Sequence, residues 1–326
     1  MPALSPYYNP NKIIELDDEN IHHHLSKDGI NLEIGPFCVN VQLAFKNIRE
    51  EFIKIYKEYP FYDHDIVWDN YINISGRSFY RQYIRPQAWI DAGMSDEFVP
   101  LPAKIGMVSL EMGLNWHVAS DCKQYLMFHA GVVAKEGVGL IMPAASGSGK
   151  STLAAGLSYR GWQLHSDEFG LYDMNSQELV PYPRAVSLKN ESIAVMRDWV
   201  SSVDDKYNEY FIEEFHGTPK GTICYMRPHK DSIDKMHVKT RPNLIILPIF
   251  DATATPEIRP ITKAMAFFRL VLSSANYGDI GKDAFLAISR IIEESEVCEI
   301  IYPNLEEAVK LVEEFVEKTS ESRGQL

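Results

Sequence analysis

The segment VGLIMPAASGSGKST at residues 138–152 constrains the fold of this chain more than any other feature. An apolar strand runs into a loop of small residues, and Lys150 and a helix starting at Ser151 follow. Gly147 and Gly149 let backbone N–H groups approach phosphate oxygens closely, and the helix N-terminus adds free N–H donors and the positive end of its dipole. This order of strand, loop and helix predicts a phosphate-binding loop in an α/β fold.

We expect this loop to bind the phosphates of ATP and a magnesium ion. The residues involved are Ala144, Ala145, Ser146, Gly147, Ser148, Gly149, Lys150, Ser151 and Thr152. Lys150 supplies a point charge for the β- and γ-phosphates, and Ser151 offers a hydroxyl ligand for Mg²⁺, which prefers oxygen. The loop departs from the usual glycine pattern at Ala144, because alanine adopts a positive φ only at a cost.

Two adjacent acidic residues follow the next predicted strand. Helix 151–159 ends before Gly161, and strand 162–166 leads into Asp167 and Glu168. We expect these residues beside the phosphate loop, because ligands bind at the carboxyl ends of strands in open α/β sheets. One carboxylate can hold magnesium and the other can accept a proton from an attacking hydroxyl. The alternative is a solvated acidic turn.

Two further residues lie on or after predicted strands. His129 lies on strand 124–134, one hairpin before the loop, where it is either a core histidine or part of an active site. Asp251 follows strand 243–250 in the manner of a Walker B aspartate. Pro248 argues against a central position for that strand, because proline cannot donate to the hydrogen-bond ladder.

Four basic residues are candidates for contacts with phosphate or substrate: Arg184, Lys189, Lys220 and Arg227. Arg184 and Lys189 follow the acidic pair on a predicted extended segment, where they could clamp a transferring phosphoryl group. Lys220 and Arg227 lie in a Gly/Pro-rich segment that could act as a closing loop. For each residue, the alternative is ordinary surface charge.

These segments together resemble the catalytic domain of HPr kinase/phosphorylase. The shared pattern consists of four elements in order, FHAGVV (128–133), GVGLIMPAASGSGKS (137–151), YRGWQL (159–164) and SDEF (166–169). The close match covers about residues 125–173.

The resemblance implies a compact P-loop domain similar to phosphoenolpyruvate carboxykinase and ATP-dependent phosphorylation of a serine in a small protein. It implies that Asp167 lies near the metal, that Glu168 is the general base and that His129 lies near that base. The sequence departs from the family at Glu168, where aspartate is usual, and at residues 178–193, where the glycine-rich signature is absent. The chain therefore looks more like the divergent HPr kinase-related group, and HPr itself as substrate stays open.

The fold class that we predict is α/β, with a P-loop kinase domain at residues 101–326 and a smaller α+β module of unknown role at residues 1–100. We expect an amphipathic helix at 44–58 and a helix at 103–118 that bridges the two halves. Aromatic residues in the first half form either the core of that module or a docking surface for a protein partner. They are Phe37, Phe52, Tyr56, Phe61, Tyr62 and Trp68.

Composition excludes several classes of function. The 45 acidic residues exceed the 32 Lys and Arg residues, giving a net charge of −13, which argues against a nucleic-acid partner. No apolar stretch is long enough to span a membrane, and the N-terminus does not resemble a secretory signal, so we expect a cytoplasmic protein. The widely spaced cysteines predict reduced, buried thiols. We expect no specific metal site at His22–His24, because no carboxylate or cysteine accompanies this tract at ligand spacing.

The motif and the resemblance together predict Mg²⁺-assisted transfer of phosphate from ATP to a serine hydroxyl of a protein or peptide. Two alternatives stay open, namely a small-molecule kinase with the same ATP site and a nucleotide-binding regulatory module with weak catalysis. The pair Asp167 and Glu168 favours catalysis, because nucleotide binding alone needs no base. The sequence leaves a homo-oligomer open.

Overall fold

The computed structural model describes residues 5–64, 66–93, 98–143, 148–218 and 220–324. The chain divides into two compact units. The first contains the chain up to Cys122 together with Asn208–Arg227, and the second contains Lys123–Tyr207 and Pro228 onward. Both units mix helices with strands, so the structure is α/β in the broad sense. None of the described helices combines the length and the apolar character that crossing a membrane requires.

The chain up to Cys122 forms seven strands and four α-helices within its described residues. They are β1 (Ile13–Ile14), α1 (Asp18–Ser26), β2 (Ile30–Ile34), β3 (Phe37–Leu43), α2 (Lys46–Tyr56), β4 (Phe61–Tyr62), β5 (Asn70–Ser75), α3 (Phe79–Tyr83), β6 (Gln87–Asp91), β7 (Leu101–Pro102) and α4 (Gly106–Asp121). The sheet order is β1-β4-β2-β3-β5-β6-β7, and only the β3–β5 pair is parallel.

Helix α4 belongs to the first unit rather than to the second half of the chain. We predicted a bridging helix over 103–118 and a domain boundary between residues 100 and 101. In the structure α4 packs on β5 and β6, and a side chain at Gly113 would lie within 3.3 Å of Ile72 and 3.4 Å of Ile90. This close packing places the boundary of the compact unit after α4.

The aromatic residues of the first unit mainly form its core. Phe37, Phe52, Tyr56, Phe61 and Tyr62 are all buried, whereas the side chain of Trp68 is 41% exposed. The core interpretation is therefore confirmed for five of these residues, and these five cannot form a docking surface. The predicted helix over 44–58 is confirmed as α2. Helix α1 was not predicted, and it buries only Ile21 and Leu25.

The remainder of the chain continues in order with eleven strands and seven α-helices among the described residues. They are β8 (Tyr125–Lys135), β9 (Val138–Pro143), α5 (Lys150–Ser158), β10 (Gln163–Ser166), β11 (Phe169–Asp173), β12 (Glu178–Val180), β13 (Val186–Lys189), α6 (Glu191–Ser201), β14 (Phe215–Thr218), β15 (Gly221–Met226), α7 (Lys230–Asp234), β16 (Pro242–Phe250), β17 (Glu257–Pro260), α8 (Lys263–Ser273), α9 (Tyr277–Ile280), α10 (Lys282–Glu294), β18 (Glu296–Tyr302) and α11 (Leu305–Gly324). The β14–β15 hairpin lies within the first unit.

The second unit is built on a mixed sheet with the order β12-β11-β8-β9-β16-β18-β17. Strand β16 is parallel to both β9 and β18, so it lies inside the sheet, and our interpretation of Pro248 was wrong. Pro248 pairs with Ile300 of β18, whereas the pairs with β9 run from Pro242 to Ile245. Proline is tolerated at position 248 because this residue lies beyond the part of β16 that pairs with β9, so its missing N–H breaks no hydrogen bond with β9.

Helices cover both faces of this sheet. Alternate residues of β8, namely Leu126, Phe128, Ala130 and Val132, belong to a buried apolar cluster with residues of α8 and α10. The intervening residues of β8 face the opposite side because strand side chains alternate. Gly131 lies on that side, and a side chain there would come within 3.3 Å of Ala154 in α5. All four cysteines are buried free thiols, as predicted.

Candidate active site

Helix α5 starts at Lys150, and its N-cap is Gly149 with φ +86°. This is the left-handed region, where a side chain is strained, and a Cβ here would lie 2.6 Å from the hydroxyl of Tyr302. Both the positive φ and the lack of room for a side chain therefore require glycine at this position. The Tyr302 hydroxyl donates to the carbonyl of Ser148 at 3.3 Å, which ties the chain before the helix to the end of β18.

The side chain of Lys150 is buried and reaches back to β8. Its Nζ lies 3.0 Å from Nε2 of His129, which is on the face of the sheet that α5 covers. An ammonium group can only donate, so Nε2 accepts and the ring proton of His129 lies on Nδ1. The structure thus places these two predicted residues in direct contact.

Strands β10 and β11 both pair with β8, and the acidic pair lies in the short connection between β10 and β11. Strand β10 pairs with the end of β8 through Ser166 and Val132, and β11 pairs with it through Phe169 and His129. Asp167 and Glu168 occupy the irregular step between these two strands. Since β9 and β10 are both antiparallel to β8, they run in the same direction and end at the same edge of the sheet. The expected position at a strand end is therefore confirmed.

Asp167 is almost completely buried and is held by the backbone. Its Oδ2 accepts a hydrogen bond of 3.2 Å from the amide of Ser187. Burial, followed by the nearby charge of Glu168, raises the pKa of Asp167 to about 6, while Arg184 and Lys150 act in the opposite direction. The charges of Glu168, Arg184 and Lys150 therefore all act on the carboxyl group of Asp167.

Glu168 is the more accessible of the two acids. Its side chain is 28% exposed, and Oε2 lies 3.9 Å from Nη2 of Arg184, whose own side chain is only 4% exposed. The guanidinium of Arg184 lies 5.3 Å from the centre of the Tyr182 ring. Arg184, a candidate from the sequence, is therefore held beside the acidic pair.

The other predicted residues are distributed as follows. Ser151 and Thr152 lie half-buried in the first turn of α5, and Ser148 immediately precedes Gly149. Lys189 ends β13, where its amide bonds to Ser192, and no described contact joins its ammonium group to the acidic pair. The predicted loop residues Ala144, Ala145, Ser146 and Gly147 lie outside the described residues.

Lys220 and Arg227 belong to the first unit. The amide of Lys220 donates to the hydroxyl of Thr218 at 3.2 Å, and its side chain is exposed. Arg227 lies 3.6 Å from a carboxylate oxygen of Glu58 and contacts the ring of Tyr210. A substrate role for these two residues stays a prediction.

Sequence reasoning missed two aromatic residues beside the start of α5. Phe250 ends β16 with a side chain that is 51% exposed, and its ring centre lies 6.0 Å from that of Tyr302. A Cβ at Gly149 would lie 3.7 Å from Cβ of Phe250. The available signal was that β16 and β9 are parallel apolar strands, so residues at their ends gather at one edge.

The site combines a helix N-terminus, a buried lysine, a buried arginine and two carboxyl groups of different exposure. The cations and the N–H groups of the helix N-terminus can hold an anion, and the more accessible carboxylate, that of Glu168, can accept a proton. No protein-family model matches this chain, and no curated protein matches it significantly.

Proposed function

We propose that the second unit is an ATP-dependent phosphotransferase that resembles HPr kinase/phosphorylase and phosphorylates a serine hydroxyl of a protein or peptide. The observation that carries the proposal is the meeting of Lys150, at the start of α5, with His129, Asp167, Glu168 and Arg184. Binding of a magnesium nucleotide explains the lysine, the helix N-terminus and one carboxyl group but not the second carboxyl group.

The phosphates of ATP would lie against the N-terminus of α5. Lys150 supplies positive charge there, and Arg184 supplies a second cation on the side of the acidic pair. Phosphoryl transfer depends mainly on positioning and on stabilising charge at the transferred group. Because both cations are buried, their interactions with phosphate are screened less than at the protein surface.

The donor set also suits magnesium. Ser151, in the first turn of α5, and Asp167 offer oxygen ligands, which Mg²⁺ prefers. When bound, the ion neutralises part of the charge on the β- and γ-phosphates. The amide of Ser187 and the burial of Asp167 fix the carboxylate that would hold it.

Glu168 is the residue that we assign as general base. Its carboxylate accepts the proton of the acceptor hydroxyl as the hydroxyl oxygen bonds to the γ-phosphorus, and the bond between that phosphorus and the bridging oxygen of ADP breaks. The guanidinium of Arg184, 3.9 Å from the carboxylate of Glu168, holds that carboxylate beside Asp167. The serine acceptor rests on the family resemblance.

The exposed ring of Phe250 supports a nucleotide rather than inorganic phosphate as the ligand. An aromatic side chain next to a phosphate-binding helix provides a surface on which a purine can stack. This role can be separated from that of Lys150, because tripolyphosphate has the charges of ATP but no base.

The test measures binding of Mg-ATP and of Mg-tripolyphosphate to the full chain by calorimetry. We expect Lys150→Ala to weaken both ligands about 10- to 100-fold, the range for a lost hydrogen bond to a charged group. We expect Phe250→Ala to weaken ATP alone. Lys282→Ala, which removes an exposed lysine from α10, is the charge-matched control and should change neither. Equal ATP affinity of Lys150→Ala and the parent protein would contradict the proposal.

Catalysis is tested by transfer of labelled phosphate to a candidate acceptor peptide, followed by mass spectrometry of the modified residue. Glu168→Gln should lower the transfer rate by about 10²- to 10⁴-fold while ATP binding stays intact. Labelled serine in the peptide supports the protein or peptide kinase. Labelling of a free sugar or amino acid with equal efficiency would favour the small-molecule kinase instead.

A further inference from the structure

Three side chains of metal-ligand type converge in the first unit, and none of them is among the residues assigned to phosphoryl transfer. They are His24, Asp28 and His64, and one ligand atom of each lies within 4.8 Å of the other two. The rings of His24 and His64 have their centres 5.7 Å apart at an angle of 46°. His24 is half-buried, whereas Asp28 and His64 are exposed.

The end of α1 brings Asp28 back towards His24. The carbonyl of His24 accepts hydrogen bonds from the amides of Lys27 at 3.1 Å and Gly29 at 2.9 Å. Gly29 has φ +79°, so the chain turns sharply after the helix. This glycine-terminated helix end fixes Asp28 on the same side as the last turn of α1.

The sheet brings in the third side chain from a distant part of the sequence. Strands β2 and β4 are antiparallel, and Asn31 pairs with Tyr62. Continuing this register by two residues places His64 opposite Gly29 and therefore next to Asp28. The amide group of Asn31 donates to the carbonyl of Asp63 at 2.9 Å, which holds the chain just before His64.

The neighbouring histidines of the tract are not part of this cluster. Nδ1 of His22 accepts a hydrogen bond from Nε of Arg49 at 3.2 Å, which directs this ring towards α2. His23 is exposed and contributes no atom to the cluster of three. Only His24 therefore combines with ligands from outside the tract, which sequence spacing cannot reveal because His64 comes from the end of another strand.

The donor set determines the kind of ion. Two imidazole nitrogens and one carboxylate oxygen suit Zn²⁺ and related borderline ions, whereas Mg²⁺ prefers a set made only of oxygen atoms. Ligands at about 2.1 Å in a tetrahedral site lie about 3.4 Å apart. The three ligand atoms now lie within 4.8 Å of one another, and rotation of the exposed side chains can bring them to the shorter distance. A water molecule can take the fourth position.

We propose that His24, Asp28 and His64 bind a Zn²⁺ ion, or a divalent ion of similar preference, in the first unit. The ion would join the end of α1, the turn before β2 and the segment after β4, three points that the fold already brings together. Because such an ion binds the folded chain, it would raise the temperature of unfolding in a concentration-dependent way. This inference does not depend on the proposed phosphotransferase activity.

The experiment uses the untagged, chelator-treated full chain and titrates it with zinc chloride by calorimetry. We expect one ion per chain. His24→Ala and His64→Ala should each lower the affinity at least about tenfold, because each removes a direct ligand, and Asp28→Asn should lower it in the same direction. His23→Ala is the matched control, since it removes an adjacent histidine of the same tract and should leave the affinity unchanged.

Cobalt(II) is the second probe, because its visible absorption reports the coordination number. A tetrahedral spectrum that appears with the parent protein and His23→Ala, and is lost in His64→Ala, supports the site. Unfolding curves recorded without metal show whether each variant folds. The proposal is overturned if the parent protein binds no zinc, if His24→Ala and His64→Ala bind zinc as the parent does, or if His23→Ala alone loses it, since the tract would then bind the ion without Asp28 and His64.

Discussion

The imidazole of His165 is the most completely desolvated ionisable group next to the candidate active site. It lies on β10, two residues before Asp167, and its side chain has no exposed surface. Neither ring nitrogen has a hydrogen-bond partner among the described residues. Burial therefore lowers the pKa of His165 to about 3, so the ring is neutral in the folded protein.

This pKa makes stability depend on pH in a defined direction. An unfolded histidine has a pKa of about 6.5, so between this value and about 3 the unfolded chain binds a proton that the folded chain does not bind. His165 therefore does not lower the free energy of unfolding above about pH 6.5, and it lowers this free energy progressively as the pH drops below that value. The slope for one such proton is at most about 1.4 kcal/mol per pH unit.

We predict that His165→Leu reduces the loss of stability in acid. The leucine has no proton to take up, and it leaves no hydrogen bond broken, so stability at pH 7 should stay equal or rise by about 1 kcal/mol. Urea unfolding between pH 4 and pH 8 measures this. His23→Leu, on the exposed surface, is the control and should keep the parental pH profile. A parental profile for His165→Leu as well would show that His165 is not the group responsible.

At the scale of the single element, α5 is bounded by two glycines with the same positive φ. Gly149 at its start and Gly161 after its end both have φ +86°. They differ in their surroundings, because a Cβ at Gly161 would have no atom within 4 Å, whereas a Cβ at Gly149 would lie 2.6 Å from the Tyr302 hydroxyl. Alanine substitutions at these two glycines therefore separate the free-energy cost of backbone strain from the cost of steric crowding.

We predict that Gly161→Ala lowers the free energy of unfolding by about 1–2 kcal/mol, the cost of the left-handed conformation alone. Gly149→Ala should lower it by a further amount of about 1–3 kcal/mol, because the methyl group also collides with Tyr302. Adding Tyr302→Phe removes the colliding oxygen, so the double variant should lose less stability than the two single changes together. Denaturant unfolding of the parent protein and the four variants measures these differences, and additive losses would mean that Tyr302 does not crowd residue 149.

Elements with strong periodicity or a complete motif could be predicted from the sequence. The strands β8 and β16 and the helices α2 and α5 were expected close to their observed bounds. Helix α1 could not be predicted, because its sequence DENIHHHLS carries only two buried residues and resembles a polar tail. Helix α6 was not predicted either, and it begins at Glu191, directly after the segment around Arg184 and Lys189 that was interpreted as extended.

The part of the candidate site that is formed by residues close in sequence could be predicted. Lys150, Asp167 and Glu168 follow from a strand, a loop and the next strand end, and the structure places them after the ends of β9 and β10, which lie at one edge of the sheet. The contact between Lys150 and His129 was open, because it depends on which face of β8 the helix covers. The position of the Phe250 ring beside α5 depends on the parallel pairing of β9 and β16, which are far apart in sequence. A single sequence does not reveal this pairing.

At the scale of the whole molecule, the compact units are not continuous in sequence. The first contains α4 and also Asn208–Arg227, which the chain reaches only after most of the candidate active site. The simple order of a module at residues 1–100 and a kinase domain at residues 101–326 does not describe this arrangement. The difference arises because domain boundaries in a sequence are inferred from neighbouring segments, whereas α4 is held by strands that precede it.

This organisation leads to a prediction for truncated proteins. A chain of residues 101–326 keeps α4 but loses β5, β6 and α2, against which α4 packs. Met107, Leu110, Leu114 and Val118 of α4, all buried in the intact protein, would then be exposed to water. Each such side chain contributes about 1.5–3 kcal/mol when it is buried, so we expect this fragment to aggregate.

The matched fragment starts at residue 123 and replaces residues 208–227 with a short Gly/Ser linker, so it lacks both segments of the first unit. It keeps the sheet built on β8, β9, β16 and β18 and the helices that cover it, and we expect it to be monomeric and to unfold cooperatively. Size-exclusion chromatography and thermal unfolding compare the two fragments. If residues 101–326 gave the soluble, cooperative protein and the matched fragment aggregated, α4 and residues 208–227 would have to be assigned to the second unit, because its fold would then depend on them.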